Sequence, residues 1–249
     1  MDLGQFETSL PVKDIERSLA FYQALGFQLV DGGVDIRTLS LLNGDCRLAL
    51  YQGYLDPPAP QLIFWQGEVE AIGRDLVDMG LTLEKGPHKD DTGAALMLLD
   101  PDGHPIFLIN MPVRYANDPG YQRKMPPYKP TRLEPDQWLG RFSLGLAVQD
   151  VERSLAFYLA LGFEPVDGVI EGDATLQNQD CRICLHQRPL DPTGIQLTFQ
   201  QADTEDLGRD LRSKGLALHQ RSIEDTRGGD LALLDPDGHQ LCFINSLGV

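Results

Sequence analysis

The sequence predicts an α+β protein made of two copies of one domain. The segment at residues 11–30, PVKDIERSLAFYQALGFQLV, recurs at 147–166 as AVQDVERSLAFYLALGFEPV, with 14 of 20 positions identical. The segment at 96–110, LMLLDPDGHPIFLIN, recurs at 231–245 as LALLDPDGHQLCFIN, with 10 of 15 identical. The features keep their order about 135 residues apart. This spacing is too long for a solenoid repeat and indicates that a whole domain is duplicated.

The first strand and helix are read from residues 6–26. Apolar and polar side chains alternate through FETSLPV at 6–12, which is typical of a strand with one buried face. Asp14 is a good N-cap, and apolar residues then recur at helical spacing at Ile15, Leu19 and Tyr22. Gly26 suits the C-terminal end of this helix.

The rest of the first half predicts strand, helix and strands in the same order a second time. EVEAIGRDLVDMG at 68–80 predicts a second helix whose apolar stripe is Val69, Ile72, Leu76 and Met79. DPDG at 100–103 places Pro and Gly where a tight turn between two strands needs them. Each half therefore reads strand, helix, strands, twice over, which is an α+β pattern with helices on one sheet face.

The duplication sets the domain boundaries. We expect a first domain at 1–112 and a second at 139–249. Residues 113–138 between them are rich in Pro and Tyr and lack clear periodicity, so we interpret them as a linker.

The composition of the chain limits the classes of molecule that it is expected to bind. The net charge of −16 and the pI near 4.6 argue against binding to nucleic acid or to anionic membranes, both of which require a basic surface. No apolar run approaches the length of a membrane span, and the N-terminus does not resemble a secretory signal. We therefore expect a cytoplasmic protein whose cysteines, Cys46, Cys181, Cys184 and Cys242, are reduced thiols.

The paired segments LPVKDIERSLAFYQALGF and LLDPDGHPIFLIN resemble the opening and closing signatures of the vicinal oxygen chelate superfamily. This superfamily includes glyoxalase I, extradiol dioxygenases and bleomycin-resistance proteins. The resemblance covers both halves and implies four βαβββ modules. These modules would form two glyoxalase-like domains, each with a mixed β-sheet curled into a cup and helices packed outside.

The resemblance also implies four positions per cup for metal ligands, one on each of four strands. In the first half these positions hold Glu7, Ala49, Gln61 and Phe107, and in the second half Ser143, Cys184, Gln196 and Cys242. Pairing the modules the other way gives Glu7, Ala49, Gln196 and Cys242. Because none of these sets supplies three good ligands, we expect no metal or other cofactor, and a divalent metal is kept only as an alternative.

The cysteines and histidines are predicted to lie in different places in each half. Cys46 and Cys181 are predicted to face the helices as small core residues. Cys184 and Cys242 should face the second cup with His186, where a Cys–Cys–His zinc site is the alternative to ordinary packing. His104 and His239, next to the turn glycines, are interpreted as partly exposed turn residues.

Strand alternation predicts the lining of both cups. The ligand-binding candidates in the first cup are Glu7, Arg47, Tyr51, Gln61, Trp65 and Phe107, with Glu7 also the candidate catalytic residue. The candidates in the second, more polar cup are Ser143, Arg182, Cys184, His186, Gln196 and Cys242. An aromatic, mostly apolar pocket with one acid, one base and one amide suits a small aromatic or amphipathic molecule.

Three classes of function fit these observations. The favoured one is a metal-independent protein that binds a small organic molecule in the first cup. The alternatives are a metal-dependent lyase, isomerase or dioxygenase, and a non-catalytic scaffold whose cups are filled by their own side chains. Four modules in one chain can form both cups without a partner chain, which is compatible with a monomer or a homodimer.

Overall fold

The computed structural model describes residues 1–90, 93–110, 139–166, 172–190, 194–200, 204–220 and 231–245. The predicted linker at 113–138 lies outside these residues. Within these described residues, each half shows ten elements in the same order. In the first half they are β1 (Gly4–Pro11), α1 (Ile15–Ala24), β2 (Gln28–Gly33), β3 (Thr38–Asn43), β4 (Cys46–Tyr51), β5 (Gln61–Gln66), α2 (Val69–Asp78), β6 (Lys85–Asp90), β7 (Gly93–Leu99) and β8 (Pro105–Asn110).

In the second half the elements are β9 (Arg141–Ala147), α3 (Val151–Ala160), β10 (Glu164–Pro165), β11 (Asp173–Asn178), β12 (Cys181–His186), β13 (Ile195–Gln200), α4 (Thr204–Ser213), β14 (His219–Gln220), β15 (Leu231–Leu234) and β16 (Gln240–Ile244). None of the described helices is long and apolar enough to cross a membrane.

Each half folds into one mixed sheet of eight strands. The order is β2-β3-β4-β1-β5-β8-β7-β6 in the first half, and the second half repeats it as β10-β11-β12-β9-β13-β16-β15-β14. Consecutive βαβββ modules join through the antiparallel pairs β1–β5 and β9–β13. The α+β fold with four modules is therefore confirmed, and the alternative pairing that combined Glu7 with Gln196 is wrong.

Strand alternation separates the two faces of each sheet as predicted. Phe6, Leu10, Leu48, Phe64 and Leu108 belong to the buried hydrophobic core beneath the helices. Cys46 and Cys181 also lie in this core. The side chains between them along each strand face the cup. The cup faces and the core therefore hold separate sets of residues.

The first helix of each half begins as the sequence predicts. The Asp14 carboxylate accepts a hydrogen bond from the Arg17 backbone, and the Asp150 carboxylate accepts bonds from the backbone of Glu152 and Arg153. The apolar stripe of α2 is shorter than expected. The helix ends at Asp78, and the next residue, Met79, is the C-cap and is exposed.

The two repeated motifs contact one another across the halves. The Tyr22 hydroxyl on α1 donates to the Asp235 carboxylate in the second half at 2.8 Å. The Tyr158 hydroxyl on α3 donates in the same way to Asp100 at 3.0 Å. Ser18 and Ser154, one helical turn earlier, bond the second aspartate of the opposite DPDG turn, at 2.9 and 2.8 Å. The helix of each half thus packs against the turn of the other half, so a pseudo-two-fold relates the two halves.

The first aspartate of each DPDG turn is fully buried and highly bonded. One oxygen of Asp100 accepts from the backbone N–H groups of Asp102 and His104, and the other contacts His104 Nδ1 at 2.8 Å as well as Tyr158. Asp235 makes the equivalent contacts with Asp237, His239 and Tyr22. Burial opposes ionisation, but the bonds from His104 hold the pKa of Asp100 below its ordinary value.

One of the two turn histidines, His239, is more buried than predicted. The side chains are 13% and 4% exposed at His104 and His239. The prediction of a partly exposed residue was wrong for His239, which is buried because the opposite half covers its turn, whereas His104 is partly exposed as predicted. Although burial lowers the pKa of His104, its contacts with Asp100 raise the pKa above the ordinary value.

We predict that Tyr158→Phe lowers the free energy of unfolding by about 1.5–3 kcal/mol, because it removes a hydrogen bond to a buried carboxylate. Urea unfolding of the full chain measures the change. Tyr54→Phe is the matched control, since Tyr54 is 62% exposed. Equal stability of the two variants would contradict a structural role for the Tyr158–Asp100 bond.

Candidate functional site

The first cup gathers the six predicted site residues on the face opposite the helices. Glu7, Arg47 and Gln61 are buried, while Tyr51, Trp65 and Phe107 are half-buried. Glu7 and Gln61 come from the central pair β1–β5, and the other four come from β4, β5 and β8. The sheet topology therefore places all six on one concave surface.

A row of cup-facing residues runs across four strands. Glu7 on β1 pairs with Ile63 on β5, Ile63 pairs with Phe107 on β8, and Phe107 pairs with Met97 on β7. Trp65 stands next to this row, paired with Gln5 and Ile109. Trp65 and Phe107 are therefore diagonal neighbours on one wall, and the carboxyl of Glu7 stands at the end of that wall.

Glu7 is the central polar group of this cup. It is 2% exposed, and its Oε1 accepts a hydrogen bond from Trp65 Nε1 at 3.3 Å. Burial raises its pKa to about 7, while the positive charge of Arg47 and hydrogen bonds from Trp65 and Ser40 act in the opposite direction. Near neutral pH this carboxyl exists in both protonation states, as is common for functional acids and bases.

Ala49 explains how Glu7 reaches Ser40. In the sheet, Ala49 lies between Ser9 on β1 and Ser40 on β3. A methyl group at this position leaves room above β4 for the carboxyl of Glu7. The small residue at one of the four expected ligand positions therefore serves the hydrogen bonding of the acid.

Arg47 and Gln61 are held by their surroundings. The charge of Arg47 acts on both Glu7 and Asp180, the latter in the second half. Gln61 Nε2 donates to the carbonyl of Pro57 at 2.9 Å, which fixes the amide. Burial, and next the charge of Glu7, raise the pKa of Tyr51 above its ordinary value, so its hydroxyl stays protonated.

The second cup has the same framework with different chemistry. Ser143, Gln196 and Cys242 are buried, together with Arg182 and His186, and Cys184 is partly exposed. In this cup His186 Nδ1 lies 2.9 Å from an Asp173 carboxylate oxygen. Thr175 Oγ1 contacts Cys184 Sγ at 3.6 Å. Burial is the main reason that the pKa of Cys184 is raised, so the cysteine remains a thiol.

The donor sets do not fit a divalent metal. In the first cup, Ala49 and Phe107 supply no ligand atom at two of the four positions. In the part of the chain that the structure describes, no three His, Cys, Asp or Glu side chains are grouped to hold a metal. Cys184, His186 and Cys242 are all described residues, so they do not form the alternative zinc site.

Sequence reasoning missed Ser40, Met97, Asp173 and Thr175 as cup residues. They lie on β3, β7 and β11, which join the cup through the strands β4, β8 and β12. Extending the two-residue alternation to these outer strands would have found them, because each residue faces the same side as its cross-strand partner.

We predict that Glu7→Gln removes a pH dependence of stability. The unfolded chain releases this proton near pH 4.5 and the folded chain near pH 7. Stability is therefore lost as pH rises through this window, by at most ~3 kcal/mol. When the pH is raised from 5 to 8, the free energy of unfolding of the variant should rise by about 2–3 kcal/mol relative to that of the wild type. Urea unfolding at each pH measures this difference.

Glu84→Gln, at an exposed loop position, is the matched control for this pH series. Parallel pH profiles of wild type and Glu7→Gln would show that the carboxyl of Glu7 ionises as readily in the folded chain as in the unfolded one.

Solved structures of several dioxygenases are similar to this chain. A catechol 2,3-dioxygenase is 19% identical, with 97% of this chain and 86% of that chain covered and a TM-score of 0.58. An extradiol ring-cleaving dioxygenase from B. fuscum is 16% identical, with 97% and 71% covered and a TM-score of 0.61. The 2,3-dioxygenase LapB from Pseudomonas sp. KL28 is 16% identical, with 96% and 90% covered and a TM-score of 0.59. At identities this low, the structural likeness shows a shared fold alone.

No curated protein matches the sequence. The sequence model of the Glyoxalase/Bleomycin resistance protein/Dioxygenase superfamily matches residues 4–108 and again 139–243. These two segments cover the two eight-stranded sheets and confirm the resemblance read from the repeated motifs. The chain belongs to the glyoxalase/bleomycin resistance protein/dioxygenase superfamily, with one copy of the family domain in each half.

Proposed function

We propose that the first cup binds a small organic molecule without a metal and that Glu7 is its polar anchor. The observation that carries this proposal is the buried carboxyl of Glu7, placed beside an apolar wall and held by Trp65 and Ser40. A carboxyl group in such surroundings is costly unless it is well bonded or serves a function.

The wall beside Glu7 supports an aromatic or amphipathic ligand. Ile63, Phe107 and Met97 follow Glu7 along the row. Two strand spacings separate Glu7 from Phe107, which is about 10 Å. A single ring carrying one polar substituent spans this distance, with the ring on Phe107 and Trp65 and the substituent at Glu7.

The polar substituent is a hydrogen-bond donor in this proposal. An ionised Glu7 accepts from an ammonium or a hydroxyl group, and such charge-assisted bonds are stronger than neutral ones. The positive charge of Arg47 already acts on two carboxyl groups, those of Glu7 and Asp180. An ionised Glu7 therefore has a use for an additional hydrogen-bond donor from a ligand.

The metal-dependent alternative, a lyase, isomerase or dioxygenase, lacks support from the cup residues. Glu7 and Gln61 provide the only oxygen donors at the four positions of this cup, and both already make hydrogen bonds within the protein. Two such ligands hold a catalytic divalent ion poorly.

The proposal extends to the whole chain. The domains at 1–112 and 139–249 each complete a cup, so the chain acts as a monomer or a homodimer. It acts in the cytoplasm without nucleic-acid or membrane partners. The net charge of −16 and the four free cysteines support this view.

We predict that a thermal-shift screen of small aromatic amines and phenols, on protein dialysed against a chelator, yields a ligand. Calorimetry on the strongest hit should show that Glu7→Gln weakens binding by about 1.5–3 kcal/mol. Trp65→Ala should weaken it similarly, through lost stacking and apolar contact.

Glu84→Gln is again the control and should leave the affinity unchanged. A hit that is insensitive to both substitutions binds elsewhere, and the absence of hits would favour cups filled by their own side chains. Binding that returns only when a divalent metal is added would overturn the metal-independent proposal.

A further inference from the structure

A cleft of about 360 Å³ lies at the end of the first sheet where β1 begins and β5 ends. Gln5 and Trp65, which pair across these two strands, form part of its lining. Asp2, Glu68 and, from the second half, Gln179 form the rest of its side-chain lining. This volume lies in the usual range of small-molecule sites. Within the described part of the chain, the lining holds two acids, one aromatic ring and no basic side chain.

Two glycines keep part of the cleft free of side chains. Gly4 and Gly67 both line it. Gly4 has a φ of +98°, and a Cβ there would lie 2.0 Å from the carbonyl oxygen of Trp65. A Cβ at Gly67 would lie 2.6 Å from the carbonyl oxygen of Leu3. The close approach of the two backbones therefore requires glycine at both positions, and backbone bounds this part of the cleft.

The two acids keep their charge available to a ligand. Glu68 is the exposed N-cap residue of α2, but its side chain makes no capping hydrogen bond. Asp2 is exposed, and its Oδ1 accepts a hydrogen bond from the backbone of Gly4 at 3.0 Å. The terminal amino group of Met1 lies against Gly162, which is not a lining residue, since a Cβ there would lie 2.3 Å from Met1 N.

The aromatic ring is held in place from the cup side. Trp65 is half-buried, and its Nε1 donates to Glu7 Oε1 at 3.3 Å. An indole ring that is fixed in this way offers a surface on which a flat cation can stack.

The second half carries a cation at the position equivalent to Gln5. Gln5 precedes Phe6 on β1 and pairs with Trp65, whereas Arg141 precedes Phe142 on β9 and pairs with Gln200. The pseudo-two-fold therefore exchanges an amide for a guanidinium group at this place.

An aspartate of the opposite half lies beside each of these two positions. Asp180 and Asp45 accept hydrogen bonds from the backbone of the phenylalanine that follows Gln5 and Arg141, at 3.2 and 3.1 Å. Burial raises the pKa of both aspartates, and the arginines of β4 and β12 oppose this alike. Arg141 also opposes it at Asp45, whereas the charge of Asp2 raises the pKa of Asp180 further. The second half thus supplies a guanidinium group where the first half supplies another carboxylate.

We propose that this cleft binds a small guanidinium compound. The guanidinium group takes in the first half the place that Arg141 takes in the second, pairs with Asp2 and Glu68, and stacks on Trp65. The cleft and the proposed site at Glu7 share Trp65 but use different acids, so either site can fail alone.

Propylguanidinium and propylurea are the probes, because they have nearly the same shape and differ in charge. Isothermal titration of the full chain at pH 7 should give propylguanidinium a Kd of about 1 mM or lower. Propylurea should bind at least tenfold more weakly, since it offers no charge to the two carboxylates. Gln5→Arg should weaken propylguanidinium binding at least tenfold, because it places a guanidinium group of the chain at the cleft.

Glu68→Gln provides a second test at an exposed position and should weaken propylguanidinium binding at least threefold. Glu84→Gln, the matched control, should not change it. Glu7→Gln should not change it either, which separates this cleft from the proposed site in the first cup. Thermal unfolding of each variant confirms that it is folded.

Three results would overturn the proposal. They are failure of propylguanidinium to bind, equal affinity for propylurea, and binding that survives both Gln5→Arg and Glu68→Gln. Loss of propylguanidinium binding in Glu7→Gln alone would also overturn it, because the cation would then lie in the first cup.

Discussion

The structure depends on two buried aspartates, Asp100 and Asp235, each of which joins its own turn to a helix of the other half. Each carboxylate accepts two backbone bonds, contacts a histidine and receives a tyrosine hydroxyl from across the boundary. A buried carboxylate without partners would destabilise the fold by several kcal/mol, so each group requires the opposite half to be in place. The helix of each half contacts the DPDG turn of the other half, so the same contact is made twice. This explains why the helix and turn segments are so similar in the two halves.

This contact leaves the cups free to diverge. The halves meet through their helix-facing surfaces, where Phe27 contacts Phe199 and Phe64 contacts Phe163, with ring centroids 6.4 Å apart in both pairs. Residues on the opposite faces can then change without affecting the interface or the core. The replacement of Glu7 by Ser143, and of Phe107 by Cys242, falls entirely on those faces. One framework therefore carries an acidic, aromatic cup and a polar cup with small side chains.

The fold could be predicted from the sequence because its strongest signals are local. The cap at Asp14, the two-residue alternation of β1 and the DPDG turns all follow from short-range rules, and the duplication doubles each signal. The covering of the DPDG turns could not be predicted, because it is caused by residues more than 40 positions away in the other half. The first-cup lining was predicted, but the hydrogen bond from Ser40 to Glu7 was not. That bond depends on β3 lying beyond Ala49, which only the sheet order reveals.

The proposed function rests on a protonatable carboxyl, that of Glu7, at a position where the family resemblance implied a metal ligand. The most direct test is a ¹³C NMR titration of the Glu7 carboxyl carbon in the full chain, assigned with Glu7→Gln. The account predicts a midpoint near pH 7 and a signal that does not change when an equimolar amount of Zn²⁺ is added. A midpoint near the ordinary value of 4.5, or a signal that shifts on addition of Zn²⁺, would contradict it.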